Sequence, residues 1–159
     1  MAKAYLSLGT NIGEKTANLQ HALELLKKSP AIQIKRVSSI YETDPVGYEE
    51  QDNFYNIVIS IETTYTAEEL LDFCLAAEIE LGRVRLFKWG PRLIDIDLLT
   101  YENETRETEK LTLPHPYMTE RAFVMIPFME IAPEDAAPFL LKEKIAAQNI
   151  YQTDLQLKW

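Results

Sequence analysis

Across residues 56–62 isoleucine stands at every second position, as Ile57, Ile59 and Ile61, with Asn56, Ser60 and Glu62 among the alternate ones. A period of two puts those isoleucines on one side of an extended chain. The pattern predicts a half-buried strand, and a strand of that kind has to find partners in a sheet. Residues 4–8 are a short apolar run that ends at the turn signal Gly9-Thr10-Asn11 and predict a first strand. Ile32 and Ile34, continued through residues 37–41, predict a second, broken by Asp44-Pro45-Val46-Gly47. Residues 94–101 predict a fourth.

Two helices fall between these strands. Leu19, Ala22, Leu23 and Leu26 form one helical face within residues 18–28, and Ser29-Pro30 ends it. Thr66-Ala67-Glu68-Glu69 is a capping box, in which the threonine hydroxyl and the glutamate carboxylate each satisfy a free backbone amide. The helix it opens buries Leu70, Leu71, Cys74, Ala77 and Leu81 and stops at Gly82. Strand, helix, strand, strand, helix, strand is the split βαβ order, so the expected class is α+β: a ferredoxin-like βαββαβ sandwich on an antiparallel sheet. Helices should cover one face and leave the other to loops and a site. Beyond it, the polar stretch 102–109 suits a hairpin tip from which Leu111-Thr112-Leu113 pairs back. Thr119 should cap a helix running through Met129 and bent or interrupted at Pro127, and a C-terminal helix is expected beyond it. With no repeat or linker in view, residues 1–159 are expected to form one domain.

Charge narrows the function. The chain carries a net charge of −9 and has a pI near 4.8. That balance argues against nucleic acid, whose affinity rests on neutralising phosphates. The single cysteine, Cys74, excludes an internal disulfide and fits a reducing compartment. The amino terminus lacks the apolar run of a signal peptide, and no stretch reaches membrane-spanning length. Against this acidic background Arg83, Arg85, Lys88 and Arg92 gather within ten positions, on a segment that Gly82, Gly90 and Pro91 mark as a loop. Guanidinium offers phosphate a bidentate partner, where ammonium is only a point charge.

Asp95 and Asp97 follow directly. Two apart on a strand, they share a face with Cα atoms roughly 7 Å apart. Such a pair is either the solvated edge of a strand or a seat for divalent cations. Leu99 and Tyr101 should continue that face, which makes it less than simply polar. Trp89 either anchors the loop to the core or covers a flat ring, and Phe54 and Phe123 admit the same two roles. Glu78 lies near the apolar stripe of its helix, where a carboxylate needs a partner; Arg83 or Arg85 could supply one. No Walker A sequence, zinc spacing or Ser/His/Asp order is present. The residues alone leave open a metal-dependent kinase, a nucleotidyltransferase and a ligand-binding regulatory module.

Six motifs occur in order: L-G-T-N-I-G near the start, S-S-I-Y-E-T-D-P-V-G at 38–47, F-Y-N at 54–56, G-R-V-R at 82–85, W-G-P-R-L-I-D-I-D-L-L at 89–99 and L-P-H-P-Y-M-T-E-R-A-F at 113–123. Together they resemble the 6-hydroxymethyl-7,8-dihydropterin pyrophosphokinase family. The resemblance implies transfer of a diphosphate from ATP to the pterin hydroxymethyl oxygen, with release of AMP, in folate biosynthesis. It implies two Mg²⁺ ions on Asp95 and Asp97, and catalytic roles for Arg83 and Arg92 beside them. Thr43, Val46, Phe54, Asn56, Trp89 and Phe123 match the pterin site. Glu78, Arg83, Arg85, Arg92, Leu98, Lys110, Leu111, Thr112, His115 and Arg121 match the ATP side. Leu75, Lys110 and Pro116 stand where some relatives carry glutamine, arginine and tyrosine. The loops 44–53 and 83–92 are the expected lids. The whole reads as a monomeric cytoplasmic enzyme with ATP and the pterin as its partners.

Overall fold

The computed structural model describes residues 1–44, 53–82 and 93–159. The isoleucine-patterned strand is β4 (Phe54–Thr63), which runs antiparallel to β1 (Ala2–Thr10) over its whole length. On the far side of β1 lies β5 (Asp95–Tyr101), also antiparallel. Strands β2 (Ile32–Val37) and β3 (Tyr41–Thr43) both pair with β4 on its other edge. Helices α1 (Lys15–Lys28) and α2 (Ala67–Leu81) connect them, so the described chain has the expected ferredoxin-like α+β order. Among the described residues no helix is long and apolar enough to cross a membrane.

Alternation sorts the side chains of β1 and β4. Leu6, Leu8, Ile57, Ile59 and Ile61 turn to one face, where Leu19, Leu23 and Leu26 of α1 and Leu70, Cys74 and Ala77 of α2 close over them. All but Ala77 are wholly buried. Burial also pushes the Cys74 thiol up to about 12, which leaves it an inert packing group at neutral pH. The capping box of α2 is formed as the sequence predicts. Glu69 N donates to the Thr66 hydroxyl at 3.1 Å, and Thr66 N donates to the Glu69 carboxylate at 2.9 Å.

Four expectations need correction. The second strand is two: its break falls at Ser38, whose amide donates to Val58 O while its hydroxyl accepts from Val58 N. A side chain there takes over a ladder bond, and the backbone is free to turn before β3. Second, Tyr101 does not share a face with Asp95, Asp97 and Leu99. Tyr5 pairs with Thr100 but Leu6 with Leu98, so Leu99 is an extra residue and the bulge sends Tyr101 to the helix side. Residues 111–113 pair back as expected: β7 (Thr112–Leu113) joins β6 (Arg106–Glu107) in a small hairpin separate from the main sheet.

The third and fourth concern the other face of the sheet. It is not left to loops alone, because α3 (Ala122–Ile131) packs there on Tyr5, Val58 and Leu99. Phe128 is fully buried with its ring 4.6 Å from that of Tyr5, and the Arg36 guanidinium donates to Ile131 O at the end of the helix. Helix α3 starts at Ala122 after a 3-10 turn over Met118–Glu120, so Arg121 holds the cap position and Thr119 lies inside the turn. The C-terminal stretch carries two short helices, α4 (Pro133–Ala136) and α5 (Lys142–Ile145), and then a strand, β8 (Ile150–Gln152), that extends the sheet beyond β3.

Thr66→Ala removes the hydroxyl half of the capping box. Urea denaturation should register a loss of about 1 kcal/mol, without a change in the denaturant slope.

Candidate active site

Where α3 ends at its amino terminus, the second face of the sheet is open, and a cavity of about 810 Å³ lies there. Its floor comes from the residues of β1, β4 and β5 that the alternation turns away from the helices. Asp95 pairs with Gly9, and Gly9 with Asn56, so the three fall in one row across the strands. Asp97 pairs with Ser7 in another row. Phe54 and Thr43 face each other across β4 and β3. Arg121 and Phe123 reach in from the start of α3.

Asn56 is buried and donates through Nδ2 to the Thr43 hydroxyl at 2.9 Å. Its Oδ1 lies 2.8 Å from where a Cβ on Gly9 would stand. Glycine is therefore needed at position 9 for the space that the Asn56 amide occupies. At the end of β1 the Thr10 hydroxyl donates to Leu93 O at 2.5 Å, which ties the approach to β5 onto the strand beside it.

The Arg121 guanidinium lies over the rings of Phe123 and Tyr117, 5.5 and 5.7 Å from their centroids. Stacked on two aromatics, it is held at the cavity rim with its donors available. His115 follows a cis Leu113–Pro114 bond and is anchored by its amide to Leu99 O at 2.8 Å. Its Nδ1 accepts from Tyr117 N, so the ring proton sits on Nε2. Burial lowers the His115 pKa; the nearby Asp97 charge opposes that and Arg121 reinforces it. The neutral imidazole, a single donor, is the favoured form.

The expected site residues divide three ways. Thr43, Phe54, Asn56, Asp95, Asp97, Arg121 and Phe123 come together around the cavity. Glu78, Leu98, Lys110, Leu111, Thr112 and His115 do not line it. Leu98 and Leu111 are buried in the helix-side core, so only their backbone could meet a ligand. Glu78 is buried too, and accepts from Ile96 N at 2.7 Å, between the two aspartates in sequence. Lys110 is exposed and pairs with Asp72 at 2.8 Å. Val46, Arg83, Arg85, Trp89 and Arg92 lie outside the described residues, as do Lys88, which was given no site role, and most of the two expected lids.

Seven further residues line the cavity: Ser7, Gly9, Asp44, Tyr117, Glu120, Gln148 and Asn149. Ser7 and Gly9 were accessible in principle, since they share the parity of Tyr5 rather than Leu6. Gln148 and Asn149 carried no signal.

Among the described lining residues Asp44, Asp95, Asp97 and Glu120 are acidic and Arg121 alone is cationic. A polyphosphate cannot approach such a surface without cations in between. Among the described residues no group of three or more His, Cys, Asp or Glu could cage a metal. The Asp95–Asp97 pair offers hard oxygen ligands, and Mg²⁺ commonly uses one or two carboxylates and takes the rest of its shell from water and substrate phosphates. The donor set therefore fits that ion.

The family described as 7,8-dihydro-6-hydroxymethylpterin-pyrophosphokinase (HPPK) matches residues 5–133. A 2-amino-4-hydroxy-6-hydroxymethyldihydropteridine pyrophosphokinase of Bacillus subtilis is 48% identical over 128 residues, covering 80% of this chain and 77% of its own. The enzyme of that name from Methylorubrum extorquens is 48% identical over 134 residues, covering 84% of this chain and 85% of its own. Among solved structures, wild-type Plasmodium falciparum HPPK-DHPS superposes with a TM-score of 0.60 at 18% identity, covering 84% of this chain and 40% of that longer one. At that identity the likeness concerns the fold.

Gly9→Ala should force the Asn56 amide off Thr43 and leave a buried donor unpaired, a loss of about 1–3 kcal/mol in urea denaturation. An unchanged midpoint would mean that Asn56 can turn without losing its partner.

Proposed function

The chain belongs to the 7,8-dihydro-6-hydroxymethylpterin-pyrophosphokinase family, whose reaction moves a diphosphate from ATP to the hydroxymethyl oxygen of the pterin and releases AMP. From that premise we propose that the cavity beside α3 is where this chain does so, and that residues 1–159 act as one catalytic domain. The observation that carries the reading is the convergence of Asp95 and Asp97 with Thr43, Phe54, Asn56, Arg121 and Phe123 from four separate segments of the chain.

The pterin is a flat heterocycle with a polar edge. Phe54 and Phe123 offer it aromatic rings, which add stacking or edge-to-face contact to simple burial. Asn56 and Thr43 present a fixed pair of polar groups to its edge, and their mutual bond fixes which way the amide points. The hydroxymethyl group then lies toward β5.

Asp95 and Asp97 hold two Mg²⁺ ions in this reading. Bound there, the metal would neutralise phosphate charge and lower the pKa of an oxygen that it ligates. Arg121 and the Nε2 donor of His115 take phosphate oxygens from the α3 side. From sequence, Arg83, Arg85 and Arg92 are assigned to the same polyanion and Val46 and Trp89 to the pterin. Leu98, Leu111 and Thr112 serve adenine and ribose through backbone groups, with Lys110 at the phosphates. Glu78 acts from the helix side of β5 and not as a direct nucleotide ligand. No protein nucleophile takes part: the reaction needs an in-line oxygen and a neutralised polyanion.

The protein incubated with ATP, Mg²⁺ and 6-hydroxymethyl-7,8-dihydropterin should produce AMP, and ADP as product would overturn the reading. Chelation with EDTA should stop turnover and added Mg²⁺ restore it. Asp97→Asn should lower kcat by at least about 10²–10³-fold while Tm stays near that of the parent. Full activity in that variant would remove Asp97 from the metal site.

A further inference from the structure

The family match ends at residue 133, yet two cavity-lining side chains, Gln148 and Asn149, lie beyond it. They sit on a strap that runs from α5 into β8. Gln148 spends its amide on backbone alone. Its Oε1 accepts from Ala122 N at 2.9 Å, and its Nε2 donates to Glu120 O at 2.7 Å and to Lys144 O at 3.1 Å. The first two groups flank Arg121. Ala122 N is the first amide of α3, and Arg121 at the cap position supplies no side-chain cap of its own. An orphan helix amide and the carbonyl two residues before it are thus satisfied by one side chain from a distant segment.

Asn149 does the complementary task on the opposite wall. Its Nδ2 donates to the Asp44 carboxylate at 2.8 Å. In the next three residues β8 pairs with β3, setting Ile150 opposite Thr43. Two consecutive side chains therefore grip the two sides of the cavity: Arg121 and Phe123 on one, Thr43 and Asp44 on the other. Phe54 stands opposite Thr43 on β4 and Phe123 follows Arg121 on α3, so the two phenylalanines belong to the two sides that the strap joins.

We propose that Gln148 and Asn149 are positioning residues for substrate: the strap is a brace that holds the Arg121–Phe123 wall at a set distance from the Thr43–Asp44 wall. The proposal rests on the pterin-kinase reading of the cavity for its consequence, but the brace is a property of the chain itself. It acts at a distance from the reacting atoms, so its loss shows mainly in the affinity of the substrate that fills the cavity.

The tail offers its own control. Gln20 on α1 holds the backbone of Lys158 in the same manner, accepting from its N at 2.8 Å and donating to its O at 2.7 Å, over the helix side of the sheet. If the tail merely stabilises the fold, Gln148→Met and Gln20→Met should behave alike. We expect otherwise. Gln148→Met should raise KM for the pterin about tenfold, with kcat changed less and Tm no lower than in Gln20→Met. Amide hydrogen exchange at Ala122 should accelerate in Gln148→Met and stay unchanged in Gln20→Met. Asn149→Ala should raise the same KM without touching exchange at Ala122. Equal KM in Gln148→Met and the parent, or equal shifts in Gln148→Met and Gln20→Met, would overturn the proposal. If the parent makes no AMP, the pterin-kinase reading of the cavity fails, and exchange at Ala122 decides the brace by itself: unaltered protection in Gln148→Met overturns it.

Discussion

Strand β1 carries the structure. It bonds to β4 along one edge and to β5 along the other, so its two-residue period is imposed on both neighbours. Leu6 and Leu8 go to the helices; Tyr5, Ser7 and Gly9 go to the opposite face. A slip of one residue would exchange the two sets, placing leucines in the cavity and Ser7 in the core. The hydrophobic cost of that exchange locks the register, and the register sets the aspartates of β5 opposite Gly9 and Ser7. Core and site are thus two consequences of one pairing.

The second face is shared between packing and chemistry. Tyr5, Val58 and Leu99 fill the part under α3, and the polar row of Asp95, Gly9 and Asn56 fills the part beyond its start. The bulge at Leu99 marks the border on β5. On its near side the aspartates keep the alternation, and past it Tyr101 crosses to the helix core and donates its hydroxyl to Tyr65 O at 2.6 Å. Helix α3 is pinned from both ends. Glu130 accepts from Ser39 and from the Tyr41 hydroxyl near its close, and Gln148 holds its first amide. Desolvation and the Glu130 carboxylate raise the Tyr41 pKa, so the phenol remains a donor throughout the physiological range. With both ends held, Arg121 and Phe123 are presented to the cavity from a helix fixed at each end.

An acidic protein that handles ATP poses an electrostatic problem, and its described cavity wall states it plainly: four carboxylates face one arginine. The solution proposed above has the carboxylates recruit divalent cations, so that negative protein and negative substrate meet through shared metal. Positive charge then has to be local, and the sequence gathers it at 83–92 directly before the two aspartates.

Much of this was legible in the order of residues. Periods of two and 3.6, the capping box at Thr66 and the glycine at 82 determine the βαββαβ order, because each depends on neighbours a few positions away. The Asp-x-Asp pair on a strand edge was legible for the same reason. Tertiary structure alone decided the break at Ser38, the bulge that turns Tyr101 and the start of α3 at Ala122. In two of these a side chain or strand from far along the chain supplies the bond that a local pattern would assign to a neighbour: Val58 for Ser38 and Gln148 for Ala122. The strap was invisible for the same cause. Gln148 and Asn149 belong to no periodic pattern, and their purpose exists only once a chain folded between residues 2 and 131 presents them with Ala122 and Asp44.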